Sequence, residues 1–211
     1  QVFTFEGFKD TVEAREMTIA DIKRTVNDFK QAALNAFEAG FDGVEIHSAN
    51  GYLLQQFLHK NSNHRTDEYG GSIENRARII FEILDELKTV VDLTRVGIRF
   101  NPALHGMMGI EVDDETTELY NYVISRLNDY PLAYIHLTEP FTDVSKVDLA
   151  IKEVAKHFRK FYKGTIITNV RYTKETANQV IASGDADLVA FGTLYIANPD
   201  LVERFKVDAP L

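Results

Sequence analysis

One grammar runs through most of this chain: a segment with apolar residues at helical spacing, then a short apolar run, five times in succession. Thr18 with Asp21 three residues on has the form of a capping box. Ile22, Val26, Phe29, Ala33, Ala36 and Phe37 then recur at helical spacing until Gly40. The strand-like run Phe41 to His47 follows, with Val44 and Ile46 alternating against Glu45 and His47. Ile80, Leu84, Leu87 and Val91 mark a second helix, entered near Ser72 and followed by "TRVGIRF". Leu119, Tyr122, Val123, Ile124 and Leu127 mark a third before "LAYIHLT". Val147, Ile151, Val154 and Phe158 mark a fourth before "GTIITN". Thr173 caps a fifth through Ala177, Val180 and Ile181, and after Gly184 comes "DLVAF".

Helix-then-strand units in series require crossover connections, and these give a parallel sheet. Periodicity leaves both an open doubly wound sheet and a (β/α) barrel. His47, Arg99, Thr138 and Asn169 are polar residues at or near the carboxyl ends of four different strands, where barrel enzymes carry their chemistry. Alternation sets Gly97 with Arg99, and Tyr134 with His136, opposite Val96, Ile98, Ile135 and Leu137. The aliphatic face is expected to meet helices and the mixed face to line a barrel interior. A complete barrel has eight strands in about 250 residues. This chain, with five core strands in 211 residues, is expected to be one partial (β/α)8 TIM-barrel unit over residues 1–211 that lacks the first three βα units. Phe3, Phe5 and Phe8 could add a strand or hairpin in front. An open parallel edge calls for a partner, either self-association or a complementary barrel fragment.

Composition removes several function classes. With no cysteine, the chain cannot form disulfides, thiolate zinc sites, cysteine-held iron–sulfur clusters or a cysteine nucleophile. A formal charge of −9 gives no electrostatic reason for binding nucleic acid or an anionic membrane. The start "QVFTFEGFKD" lacks the basic and apolar regions of a secretory signal, and no apolar run approaches the ~18 residues of a span, so a cytoplasmic location is the expectation. A first residue of Gln1 rather than methionine raises the expectation of a cut end. His59, His64, His105, His136 and His157 show no metal-ligand spacing, and no metal is assigned.

The stretch "HSANGY" is where chemistry concentrates. His47 and Asn50 offer hydrogen-bond donors three residues apart at a strand end, and Tyr52 adds a phenolic proton close by. Two donors on one oxygen would polarise a carbonyl, and a tyrosine could deliver a proton to the adjacent carbon. Each also has an ordinary reading: His47 bonded to a backbone carbonyl, Asn50 as a turn residue, Tyr52 as packing.

The wider surroundings weigh on that choice. The stretch from "REMTIADI" through "FKQAALNAFEAGFDGVEIHSANGYLLQQFLHKNSNHRTDEYGGSIENRARIIFEIL" resembles the Old Yellow Enzyme family of flavin-dependent ene reductases. The likeness continues in "VGIRFNP", "YIHLTEP" and "DLVAFGTLYIANPDLVERF", covering Arg15 to Phe205. The resemblance implies a (β/α) barrel holding FMN, which NAD(P)H reduces and which passes hydride to an alkene conjugated to a carbonyl or nitro group. It implies that His47 and Asn50 bind the activating oxygen of a small-molecule substrate, that Tyr52 is the proton donor, and that Arg99 contacts the flavin ring. An ordinary role for Arg99 is an interior salt bridge to Glu45. In "NSNHRTDEYGGSIENR", Gly70 and Gly71 suit a turn, Ser72 a cap, and Arg65, Asp67, Glu74 and Arg76 a structural network.

The family's phosphate turns are the point of departure. Asn169, Val170 and Arg171 occupy the first turn, with Val170 and Arg171 where glycine is expected. Gly192 and Thr193 occupy the second, with Thr193 where a basic residue is expected. These five residues complete the expected cofactor contacts. Two functional classes follow: an FMN-dependent ene reductase, or a truncated, non-catalytic barrel remnant without flavin.

Overall fold

A computed structural model describes residues 2–10, 12 and 15–211. Its centre is a parallel sheet of β3 (Val44–Ser48), β4 (Val96–Phe100), β5 (Tyr134–Thr138), β6 (Ile166–Asn169) and β7 (Leu188–Ala190), paired in chain order. Ahead of it, β1 (Val2–Thr4) and β2 (Gly7–Lys9) form an antiparallel hairpin, with Val2 opposite Lys9 and Gly7 at φ 96° in the left-handed region open to glycine. Among the described residues β3 and β7 are the two edges of this sheet. Sequential pairing without reversal of strand order is the topology of a (β/α) barrel segment rather than a doubly wound sheet.

The strands form where apolar residues alternate, and each begins where a helix has been stopped. The longest helix, α1 (Ile19–Glu38), starts at a capping box in which the Thr18 hydroxyl accepts from the Asp21 amide and the Asp21 carboxylate accepts from the Thr18 amide. Gly40, at φ 91°, turns the chain out of it toward β3. Next come α2 (Leu53–Leu58) and α3 (Ile73–Leu87), the latter capped by Ser72. The remaining helices are α4 (Thr116–Arg126), α5 (Val154–Phe158), α6 (Lys174–Ala182, capped by Thr173), α7 (Thr193–Ala197) and α8 (Leu201–Val207).

One face of the sheet is the core. Ile46, Val96, Ile98, Ile135, Leu137 and Ile166 pack against Ile79, Ile80, Ile83, Leu84, Leu119, Val123 and Phe158 from the helices. Each such aliphatic side chain contributes roughly 1.5–3 kcal/mol by leaving water. The opposite face carries Glu45, His47, Gly97, Arg99, Tyr134, His136 and Asn169, aligned by pairing of Glu45 with Gly97, His47 with Arg99, and Arg99 with His136. The mixed face is therefore the one turned away from the helices, as alternation required. Gly97 has a steric reason to be glycine: a Cβ there would stand 2.3 Å from the Tyr134 ring.

Three features differ from the periodic reading. The fourth helix begins only at Val154, because the Glu139 carboxylate accepts from the Val154 and Ala155 amides and fixes the helix start there. Val147 instead joins Val112, Val144 and Ala150 in a small satellite cluster held by turns. Helices α2, α7 and α8 follow their strands with five to seven residues each, too short to give a periodic signal. Finally, the segment from Asn61 to Arg76 holds two networks rather than one. Arg65 is bonded to Asp67, Glu16 and the Met17 carbonyl, whereas Arg76 is bonded to Glu115 and the Leu58 and Gly71 carbonyls. Glu74 stands apart in the first turn of α3, its carboxyl held low by its own backbone amide and Ser72.

Candidate active site

Four neighbouring strands deliver polar side chains to one end of the open face. His47 is the last but one residue of β3, and its register partner on β4 is Arg99. Thr138 ends β5 and is paired with Asn169, which ends β6. The Arg99 guanidinium donates through Nε and Nη2 to the Thr138 hydroxyl at 3.4 Å each, both long contacts. With its amide oxygen turned toward Arg99, Asn169 accepts from Nη2 at 2.9 Å and donates to the Thr138 hydroxyl and the Leu137 carbonyl at 3.3 Å.

Arg99 makes no salt bridge to Glu45. That carboxylate instead binds His136 Nδ1 at 2.9 Å, which, against the opposing effect of burial, holds its pKa below the usual range. His136 is only half satisfied, since its buried Nε2 has no partner among the described residues. Arg99 thus keeps one good bond, to Asn169, and two long contacts to Thr138 on a polar face.

His47 is half-buried, and burial, followed by the Arg99 charge, pushes its pKa down. Its imidazole is therefore neutral at pH 7, with one N–H to donate and one lone pair. After β3 the chain turns sharply through Asn50 at φ 58° and Gly51 at φ 76°. Asparagine enters this region more readily than most residues, and Asn50 Oδ1 accepts from Asn101 Nδ2, just past the end of β4, at 3.0 Å. Gly51 needs its missing side chain twice over, for the positive φ and because a Cβ would lie 2.3 Å from Met108 Cβ. The turn delivers Tyr52 to the N-cap of α2, where it is 56% exposed with its ring centroid 5.4 Å from that of His47. An imidazole, an amide and a phenol thus meet at one strand end.

Behind them lies a buried polar group that periodicity does not reveal. Gln55 Oε1 accepts from the Gly51 amide at 2.9 Å, and Gln55 Nε2 donates to the Asn101 carbonyl at 2.8 Å and to the Tyr120 hydroxyl at 3.1 Å. His59 joins through Nε2 to Tyr120 at 3.1 Å and through Nδ1 to the Glu111 carbonyl at 3.2 Å. Burial pushes the His59 pKa down to about 4. A glutamine inside the apolar helical stretch "LLQQFL" is the only hint of this network in the sequence.

The far turn is built differently. Val170 and Arg171 follow Asn169 at φ 88° and 58°, so the backbone takes a path suited to glycine with two bulky side chains on it. The Arg171 guanidinium donates to the Phe141 carbonyl at 3.0 Å and is turned toward the loop after β5. Gly192 caps α7 with φ −103°, a conformation any residue adopts, and a Cβ there would meet nothing within 4 Å. Thr193 is exposed beside it.

The chain as a whole is similar to known proteins. The family model described as "NADH:flavin oxidoreductase / NADH oxidase family" matches residues 4–211. The chain belongs to that family. It is 45% identical over 198 residues to 12-oxophytodienoate reductase 1 of Oryza sativa subsp. japonica, covering 93% of this chain and 52% of the relative. It is 43% identical over 197 residues to 12-oxophytodienoate reductase 2 of Arabidopsis thaliana, with the same two shares. Among solved structures, it matches the Old Yellow Enzyme homologue from Zymomonas mobilis with TM-score 0.91 and 35% identity, covering 99% of this chain and 58% of that one. It matches morphinone reductase in complex with tetrahydroNAD with TM-score 0.87 and 38% identity, covering 100% of this chain and 56% of that one. The chain spans about half the length of the curated relatives it matches. Its fold matches part of a (β/α) barrel. Among the described residues, no helix is long and apolar enough to cross a membrane.

Proposed function

We propose that this chain carries the substrate-activating part of an FMN-dependent ene reductase that uses NAD(P)H to reduce C=C bonds conjugated to a carbonyl or nitro group. The observation that carries the reading is the meeting of His47, Asn50 and Tyr52 at the end of β3, beside Arg99 on β4. Neutral His47 donates one N–H and Asn50 donates its Nδ2, and both hold the substrate oxygen. Donors there lower the energy of the negative charge that develops on oxygen as the β-carbon is attacked, and this polarises the alkene. Tyr52, exposed above the pair, gives its phenolic proton to the α-carbon. The reaction balances as one hydride to the β-carbon and one proton to the α-carbon.

FMN supplies the hydride when bound, and the residues present suit it at the ring end. Arg99 has only long contacts to Thr138 and one bond to Asn169, and the orphaned His136 Nε2 on the same face also calls for a polar partner. A guanidinium there favours a ring that gains negative charge on reduction. At the phosphate end, Gly192 leaves open space and the Asn169–Arg171 turn keeps a glycine-like backbone, with the Val170 isopropyl and Thr193 in place of glycine and a base. Arg171 serves the Phe141 carbonyl rather than this turn.

Those departures and the open sheet favour a second reading, a flavin-free barrel remnant stabilised by self-association or by a complementary fragment. Titration of the purified chain with FMN separates the two. The first reading expects a near-stoichiometric visible flavin band that NADH or NADPH bleaches; free FMN alone after excess addition and gel filtration establishes the second for this chain. A small-molecule substrate and a cytoplasmic location complete the proposal.

A further inference from the structure

We propose, resting on the reading of His47 and Asn50 as the oxygen-binding pair, that Asn101 is a positioning residue: it decides which end of the Asn50 amide faces the substrate. Asn101 follows β4 directly and is 0% exposed. Its Nδ2 donates to Asn50 Oδ1 at 3.0 Å. A side-chain amide has one accepting end and one donating end, so an Asn50 whose oxygen is engaged from behind has only Nδ2 left for a ligand. Without that bond the amide could present its oxygen, and two oxygens would then face each other at the site.

The backbone of the same turn is held by a second amide. Gln55 accepts from the Gly51 amide and donates to the Asn101 carbonyl, tying the turn after β3 to the end of β4. Gln56 Nε2 closes the turn by donating to the Gly51 carbonyl at 2.6 Å. The turn that carries Asn50 is thus held at the Gly51 amide and carbonyl, and the Asn50 side chain at Oδ1. Asn101 itself keeps a buried Oδ1 with no partner among the described residues.

The test reads the polarity of the site directly. Cyclohexanone, which lacks the reducible C=C bond, is labelled with ¹³C at the carbonyl and bound to the full chain equilibrated with FMN, and its carbonyl stretch is measured by infrared difference spectroscopy. The expected result is a downshifted band in the wild-type protein. Asn101→Asp, which puts an acceptor against Asn50 and draws its Nδ2 inward, is expected to abolish most of that shift and weaken probe binding about tenfold. Asn101→Leu, which removes the donor without adding charge, is expected to lose part of the shift, and it decides the matter if circular dichroism shows the Asp variant unfolded. A purely structural role would lower stability and occupancy but leave the band of the bound probe where it was. An unchanged band in a folded variant overturns the role of Asn101 and leaves the oxygen-binding pair standing. A wild-type band at the position of free cyclohexanone overturns the pair and this inference together.

Discussion

Gly51→Ala tests the packing of the turn after β3, and Gly71→Ala supplies its internal control. Both glycines have nearly the same backbone conformation, φ 76° and φ 78°. An L side chain in that region costs about 1–2 kcal/mol, partly offset by about 0.4–1 kcal/mol from the stiffer unfolded chain. At Gly71 nothing lies within 4 Å of a new Cβ, so the net loss is expected to be about 1 kcal/mol. At Gly51 the Cβ meets Met108 Cβ at 2.3 Å and the Met108 carbonyl oxygen at 3.2 Å, and the loop must move. Overpacking of that kind adds about 1–3 kcal/mol, for a total of about 3 kcal/mol and a fall in Tm of about 6–12 °C, read by thermal circular dichroism. Met108 is itself at φ 55°, so Met108→Gly removes both the obstruction and a strained side chain and is expected to recover most of the loss in the double variant. Equal Tm losses for Gly51→Ala and Gly71→Ala, or no recovery with Met108→Gly, would refute the seating of the Met108 loop on this turn.

Two further perturbations probe the scaffold. His59 titrates at about 4 when folded against 6.5 when free, because burial penalises its charged form, so the unfolded chain binds the extra proton as pH falls through 6.5. Stability is therefore fully present above 6.5 and declines toward pH 4, by about 3 kcal/mol for the full gap. Urea midpoints compared at pH 7 and pH 4.5 are expected to show a smaller decline for His59→Gln than for the wild type. Thr18→Ala removes the capping box of α1 and is expected to cost about 1 kcal/mol, seen as a Tm loss of about 2–4 °C.

The parts of this molecule that were legible in the sequence are those set by local rules. The α1 capping box, the Ser72 and Thr173 caps, the succession of helices and strands and the split of each strand into aliphatic and mixed faces all follow from residues within a few positions of one another. The convergence of His47, Arg99, Thr138 and Asn169 followed once the strands were taken as parallel and in order. What stayed hidden depends on partners far apart in the chain. Gln55 meets Asn101 and Tyr120 across separations of 46 and 65 residues, and no periodicity encodes that. The choice of His136 over Arg99 as partner for Glu45 is likewise a matter of where side chains reach across three strands. The late start of α5 was illegible for a related reason: the Glu139 carboxylate that fixes it lies 15 residues before Val154.

The central claim is that Tyr52 hands a proton to carbon beside an oxygen held by His47 and Asn50. Stopped-flow measurement of the two half-reactions of Tyr52→Phe, on protein loaded with FMN, tests it most directly: flavin reduction by NAD(P)H, then reoxidation by 2-cyclohexenone. Proton donation by Tyr52 predicts the first rate nearly unchanged and the second slowed by about 10²–10⁴-fold, the usual weight of a positioned general acid. Equal loss in both half-reactions, or an unaltered reoxidation rate, would contradict it.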